Sequence, residues 1–174
     1  LDFSKAAEIE PNDFITYYWI GRSNIALEKY EIAKRNFSKA IKLNPDDFES
    51  YSFIGVIEDI EGNYSAAIKN FSKAIELNPK DFWSYYGTAN AHYSLGNLKE
   101  SIEYYSKAIE LNPQDADSFY YRGWSKWALK NYQAAILDTS KAIELNPNKS
   151  NFIARRAFYY LLEDEFKKAL NDIN

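Results

Sequence analysis

Phe37-Ser38-Lys39-Ala40-Ile41-Lys42-Leu43-Asn44-Pro45 occurs four times in this chain with few changes. It returns as Phe71 to Pro79, Tyr105 to Pro113 and Thr139 to Pro147, and a degenerate copy runs from Phe3 to Pro11. All five prolines (Pro11, Pro45, Pro79, Pro113 and Pro147) therefore stand on one ladder with a step of 34 residues. A fixed period of this size marks an array of supersecondary units, each too small to bury its own apolar face and so stacked on its neighbours. The ladder proline cannot continue a helix, so it sets where the helix before it stops.

Numbering each unit from 1 to 34 with the proline at position 32 gives repeats at 14–47, 48–81, 82–115 and 116–149. Residues 1–13 are then the C-terminal part of a preceding repeat's second helix, and 150–174 is a partial fifth repeat of the same continuous domain. Position 4 carries Tyr17, Tyr51, Tyr85 and Phe119, and position 8 carries Gly21, Gly55, Ala89 and Gly123. Position 20 carries Ala33, Ala67, Ser101 and Ala135, and position 27 carries Ala40, Ala74, Ala108 and Ala142. Positions 4, 7, 8 and 11 make one stripe on a first helix, and 17, 20, 24 and 27 make the matching stripe on a second. Small residues at 8, 20 and 27 let helix axes approach, with a large ring at 4 or 24 filling the space beside them. Asp13, Asp47, Asp81 and Asp115 are suited to N-cap the following first helices. Gly62 and Gly96 sit at position 15, where the chain turns between helices.

This set of positions resembles the tetratricopeptide repeat family over essentially the whole chain. The resemblance implies an all-α fold, a right-handed superhelical α-solenoid of antiparallel helix pairs whose first helices line a concave face. Some positions depart from the family pattern. Position 11 holds Asn24, Glu58, His92 and Lys126 where an aromatic is usual, position 7 of the fourth repeat is Arg122, and position 24 there is Thr139. Asn24, Glu58, His92, Lys126 and Arg122 each bring a polar group near a helix contact.

Composition narrows the function. The net charge is −4, without the basic balance or stripe that a phosphate-neutralising nucleic-acid binder needs. There is no Cys and a single His, His92, which excludes disulfides, thiolate sites and multi-histidine metal sites. His92 is read as a packed or capped residue rather than a base. No run of about 18 apolar residues could span a membrane, and no signal-peptide pattern is present. The compartment is left open, with the cytoplasm favoured. No phosphate-binding glycine loop, nucleophile elbow or metal motif is found, so neither catalysis nor a cofactor is expected. A complete, unprocessed chain would start with Met, and this one has none, so a piece of a longer array is expected. The lysines at position 26 (Lys39, Lys73, Lys107, Lys141) and the glutamates at position 29 (Glu76, Glu110, Glu144) recur with the repeat and read as a solvated convex face.

Aromatics reach 17% of the chain, more than the core stripes use. The resemblance places positions 2, 5, 6, 9, 12 and 13 on the concave face, and the excess lies there. Tyr18, Trp19 and Arg22 occupy it in the first repeat, Phe53 in the second beside Val56, Ile60, Glu49 and Asp59, and Trp83, Tyr86, Asn90 and Tyr93 in the third. Tyr120, Tyr121, Trp124 and Trp127 follow in the fourth, and Arg155 with Phe158 in the fifth. All four Trp of the chain are on this stripe. Apolar surface lining a groove marks a binding site, and Trp, Tyr and Arg are the usual anchors. The expected occupant is an extended or helical peptide of a protein partner. The same rings could instead pack between adjacent first helices and belong to the core.

One family specialisation, a clamp for the acidic C-terminus of chaperones, needs two lysines. The best register offers Tyr86, Asn90, Tyr121, Asn151 and Arg155, which lacks both, so that partner is not expected. The functional expectation is a non-catalytic protein-interaction scaffold or adaptor. Two alternatives stay open: a substrate-recruiting arm of a multidomain enzyme, and a self-association module working through uncapped ends.

Overall fold

The computed structural model describes residues 9–173, and these form ten helices with no strand among them. They are α1 (Phe14–Ala26), α2 (Tyr30–Leu43), α3 (Phe48–Ile60), α4 (Tyr64–Leu77), α5 (Phe82–Ser94), α6 (Leu98–Leu111), α7 (Ala116–Ala128), α8 (Tyr132–Leu145), α9 (Ser150–Leu162) and α10 (Phe166–Ile173). The fold class expected from the period is thus an all-helical one. Most of the degenerate copy Phe3–Pro11, expected to end a second helix, lies outside the described residues. The chain divides into two compact units, one through Ala91 and one from His92.

Local chemistry explains where the helices start and turn. Asp13 accepts from the Ile15 and Thr16 amides at 3.1 and 3.0 Å and from the Thr16 hydroxyl at 2.6 Å. The Thr16 hydroxyl, more than the two amides, holds the Asp13 carboxyl below its ordinary range. Asp81 and Asp115 cap in the same way, accepting from the Ser84 and Ser118 amides at 3.0 and 2.7 Å. Asp47 differs from the expectation. It caps no backbone amide and accepts the Ser50 hydroxyl instead. Position 15 takes a left-handed backbone in every repeat described: Gly62 and Gly96 at φ 80° and 78°, but also Glu28, Lys130 and Asp164 at 56°, 61° and 58°. The turn geometry is common to all repeats, and only two of them use the residue that adopts it without strain.

In the unit through Ala91, the rings at position 24 fill the space that the glycines leave. A Cβ added at Gly21 would stand 2.7 Å from Phe37, and one added at Gly55 would stand 2.8 Å from Phe71. Ala33, Phe37 and Ala40 are wholly buried, as are Ala67 and Ala74, so the second-helix stripe is core. In the unit from His92 the third repeat keeps a ring, the buried Tyr105, and the fourth uses a smaller filler. Thr139 is wholly buried, its hydroxyl donates to the Ala135 carbonyl at 2.8 Å, and a Cβ on Gly123 would lie 3.2 Å from both groups.

The polar residues at positions 7 and 11 all find partners. Arg122 donates twice to the Asp138 carboxylate at 2.8 and 2.7 Å and once to the Ser106 hydroxyl at 3.0 Å. Lys126 adds a contact to Asp138 at 2.7 Å. The same triad returns 34 residues later, Arg156 donating to Asp172 at 2.9 and 2.6 Å and to Ser140 at 3.1 Å. In the first unit Lys34 bridges to Glu61 and Glu31 at 2.8 and 3.0 Å, with Glu58 at 3.5 Å. Hydrogen bonding to Glu61 and then Glu31 raises the Lys34 ammonium well above its ordinary pKa. Asn24 donates to the Ile20 carbonyl at 2.8 Å. His92 stacks on Tyr104 at 5.3 Å, and its Nδ1 stands 3.4 Å from the Asn97 amide nitrogen. On the outer face, Lys73–Glu76, Lys107–Glu110 and Lys141–Glu144 pair at 2.7–2.8 Å. The equivalent of the glutamate in the first repeat is Lys42, and there Lys39 instead lies over the Tyr17 ring at 4.1 Å.

Candidate functional site

The concave positions expected to bind are best followed one unit at a time. In the unit through Ala91 they come from α1, α3 and α5. Trp19 is 42% exposed and Trp83 is 66% exposed, values far above those of packed rings. Arg22 is also exposed and lays its guanidinium over the Trp19 and Phe53 rings at 5.1 and 5.2 Å. Trp83 rests against Phe82 and Tyr86, at 5.0 and 6.2 Å between centroids. Tyr18 corrects the expectation. It is only 7% exposed and packs edge-on against Phe53 and Phe37 at 5.9 and 6.1 Å, so position 5 here is a wall of the core.

Between α3 and α5 lies a cavity of about 630 Å³. Its lining includes five of the expected residues, Arg22, Phe53, Trp83, Tyr86 and Asn90, together with Glu49, Ser52, Val56, Asp59, Ile60 and Gly87. Two small side chains open it. Position 5 is Ser52 where the first repeat has Tyr18, and position 6 is Gly87 where the repeat before has Phe53. With no side chain at residue 87, the cavity reaches down to Phe71, whose ring a Cβ there would meet at 2.8 Å and less. Ser52 is buried and its hydroxyl accepts from Ser84 at 3.1 Å. The walls are mostly apolar, and the charged groups on them are Glu49, Asp59 and Asp81 against Arg22. Asp59 stands apart, because its Oδ1 is buried and has no hydrogen-bond partner. Burial pushes its carboxyl above the ordinary range.

In the unit from His92 the aromatics form a continuous cluster. Tyr121 and Trp124 stack at 6.1 Å, Tyr93 meets Trp124 at 5.9 Å, and Arg155 covers the Trp124 ring at 4.4 Å. These three rings and Arg155 are half-buried, as expected for an amphipathic surface rather than a core. Tyr120 is a second correction. It is 4% exposed and stacks on the wholly buried Phe152 at 4.6 Å, again as a core wall at position 5. Trp127 lies lower in this unit, against Phe158 at 6.1 Å and the buried Tyr159 at 6.3 Å. Burial drives the Tyr159 phenol upward in pKa, and its hydroxyl has no partner.

Reading the stripe for aromatic residues overlooked Ser52 and Gly87, the two interruptions that create the cavity. Their signal was legible: small residues in columns held by rings in the other three full repeats. The Arg122–Asp138–Ser106 triad was missed for another reason. Its members lie 16 residues apart in either direction, and no single helix face shows them together.

Tetratricopeptide-repeat models match residues 15–47, 82–115 and 116–149, and a further model of the same repeat matches 60–96. No curated protein matches the chain by sequence. Among solved structures, MamA superposes with a TM-score of 0.85 at 21% identity, covering 92% of this chain and 87% of that one. A MamA chain from Desulfovibrio magneticus gives 0.86 at 20% identity, covering 92% and 90%. YrrB, described as a repeat protein of this kind with an unusual peptide-binding site, gives 0.83 at 21% identity, covering 99% and 89%. These likenesses show the fold. None of the described helices is long and apolar enough to cross a membrane.

Proposed function

Because the chain belongs to the tetratricopeptide repeat family, we propose that it is a non-catalytic scaffold whose first-helix face binds a peptide segment of a protein partner. One observation carries this reading: Trp19 and Trp83 stand 42% and 66% exposed beside an apolar cavity of about 630 Å³. Large rings left in water around a concave apolar surface cost stability that a bound partner recovers. Trp83, Tyr86, Phe53 and Arg22 surround the opening, and the half-buried Tyr121, Trp124 and Arg155 offer a second aromatic surface in the unit from His92. Tyr18 and Tyr120 support these surfaces from beneath. The absence of the clamp lysines argues for a partner other than an acidic chaperone tail.

The test compares partner capture by the wild-type protein with capture by Trp83→Ala and by Trp124→Ala, each checked by circular dichroism for intact helix content. Loss of the same partners in either variant is the expected result. Retention of every partner by both well-folded variants sinks the reading.

A further inference from the structure

Three carboxylates and one guanidinium line the cavity between α3 and α5, and two of the four are already engaged. Asp81 accepts from the Ser84 amide at 3.0 Å, and Arg22 is stacked over Trp19 and Phe53 at 5.1 and 5.2 Å. Glu49 is exposed to water. Asp59 is different: it faces the cavity, its Oδ1 is buried, and no group of the protein donates to that oxygen. An ionised carboxylate with a buried, donorless oxygen is unfavourable, and a cation arriving from outside offsets that cost. The apolar walls add a second requirement. A compact hydrated cation would leave Phe53, Val56 and Trp83 unsatisfied, whereas a charge at the end of a methylene chain would cover them with its stem.

Resting on the peptide-binding reading above, we propose that this cavity receives a lysine or arginine side chain of the bound peptide. Its aliphatic stem lies against Phe53, Val56 and Trp83, and its charge is taken up by Asp59. The excess of carboxylates over guanidinium on the lining repels an acidic side chain at the same place. Gly87 is what gives the stem its depth, since any side chain there would close the floor over Phe71.

The experiment uses four capped pentapeptides that are identical except for a central lysine, arginine, norleucine or glutamate between leucines. Binding is followed by two-dimensional ¹⁵N–¹H spectra of the whole chain, reading the Trp83 indole and Gly87 amide signals. The lysine and arginine peptides are expected to move these signals and to bind roughly tenfold or more tightly than norleucine, with glutamate weakest. Asp59→Asn is expected to bring lysine and norleucine to equal affinity. Should that variant fail to fold, the four-peptide series on the wild-type protein decides alone. Equal affinity of lysine and norleucine overturns the proposal while leaving the peptide-binding face intact. So does a lysine preference that survives Asp59→Asn, a response confined to residues away from the cavity, or no binding of the lysine peptide at millimolar concentration. Failure of the broader reading is seen separately, in the partner capture by the Trp83→Ala and Trp124→Ala proteins.

Discussion

Replacing Gly55 with alanine sets two effects of known size against each other. Inside a helix, alanine is preferred over glycine by about 1 kcal/mol. Against this, the new Cβ would stand 2.8 Å from two carbons of the Phe71 ring, well inside the roughly 3.5–4.0 Å at which carbon atoms attract. Phe71 has little room to move away. It is 1% exposed, and a Cβ on Gly87 would meet the same ring at 2.8 Å and less, so the phenyl touches glycine backbone from both α3 and α5. Overpacking of a filled core costs about 1–3 kcal/mol, and the net expectation is a loss of up to about 2 kcal/mol after the helix preference is subtracted. For a chain of this length each kcal/mol lowers Tm by about 2–4 °C. Stacked repeats need not unfold as one unit, so native-state hydrogen exchange of α3 and α4 amides is the sharper assay. The double variant Gly55→Ala with Phe71→Leu should lose about 1 kcal/mol less than the sum of the two single changes. A Gly55→Ala protein more stable than the wild type by about 1 kcal/mol, the full helix preference unopposed, would refute the view that Phe71 occupies the space the glycine leaves.

Arg122→Met removes both hydrogen bonds to Asp138, a carboxylate 5% exposed, and leaves it only Lys126. Urea unfolding should show a loss of roughly 3 kcal/mol, and a change within the error of an exposed Arg35→Met control would contradict the network. Burial holds the His92 imidazole below its ordinary pKa of 6.5, against the opposing pull of Glu100. The unfolded chain therefore binds more protons as pH falls through 6.5, so this residue costs no stability above that pH and a growing amount below it. His92→Phe should remove that slope, and a Tm difference from the wild type that is the same at pH 5 and pH 8 counts against the assignment. Lys130→Gly relieves a left-handed backbone at φ 61° and should raise stability by up to about 1 kcal/mol, read as a higher urea midpoint; no rise would mean that Lys130 carries no strain.

Much of this molecule could be read from one nine-residue phrase and its spacing. The proline ladder placed the helix ends, and the small-residue columns identified which faces approach closely. Both depend only on backbone sterics and side-chain volume, which are local and repeat with the period. The N-caps followed for the same reason, except at Asp47, which accepts the Ser50 hydroxyl but no backbone amide.

What remained for the tertiary structure was decided between helices. Tyr18 and Tyr120 share a stripe with Trp19 and Tyr121, yet the first pair is buried, because position 5 meets Phe53 or Phe152 of the next first helix. Pairing of Arg122 with Asp138 and Ser106 likewise depends on which turns of three helices come level. The cavity is the clearest case. Ser52 and Gly87 are unremarkable in their own helices, and only the facing of α3 and α5 turns two missing rings into one space with Asp59 on its wall. Periodicity determines which residues share a face; the distance between faces determines whether that face is core, wall or opening.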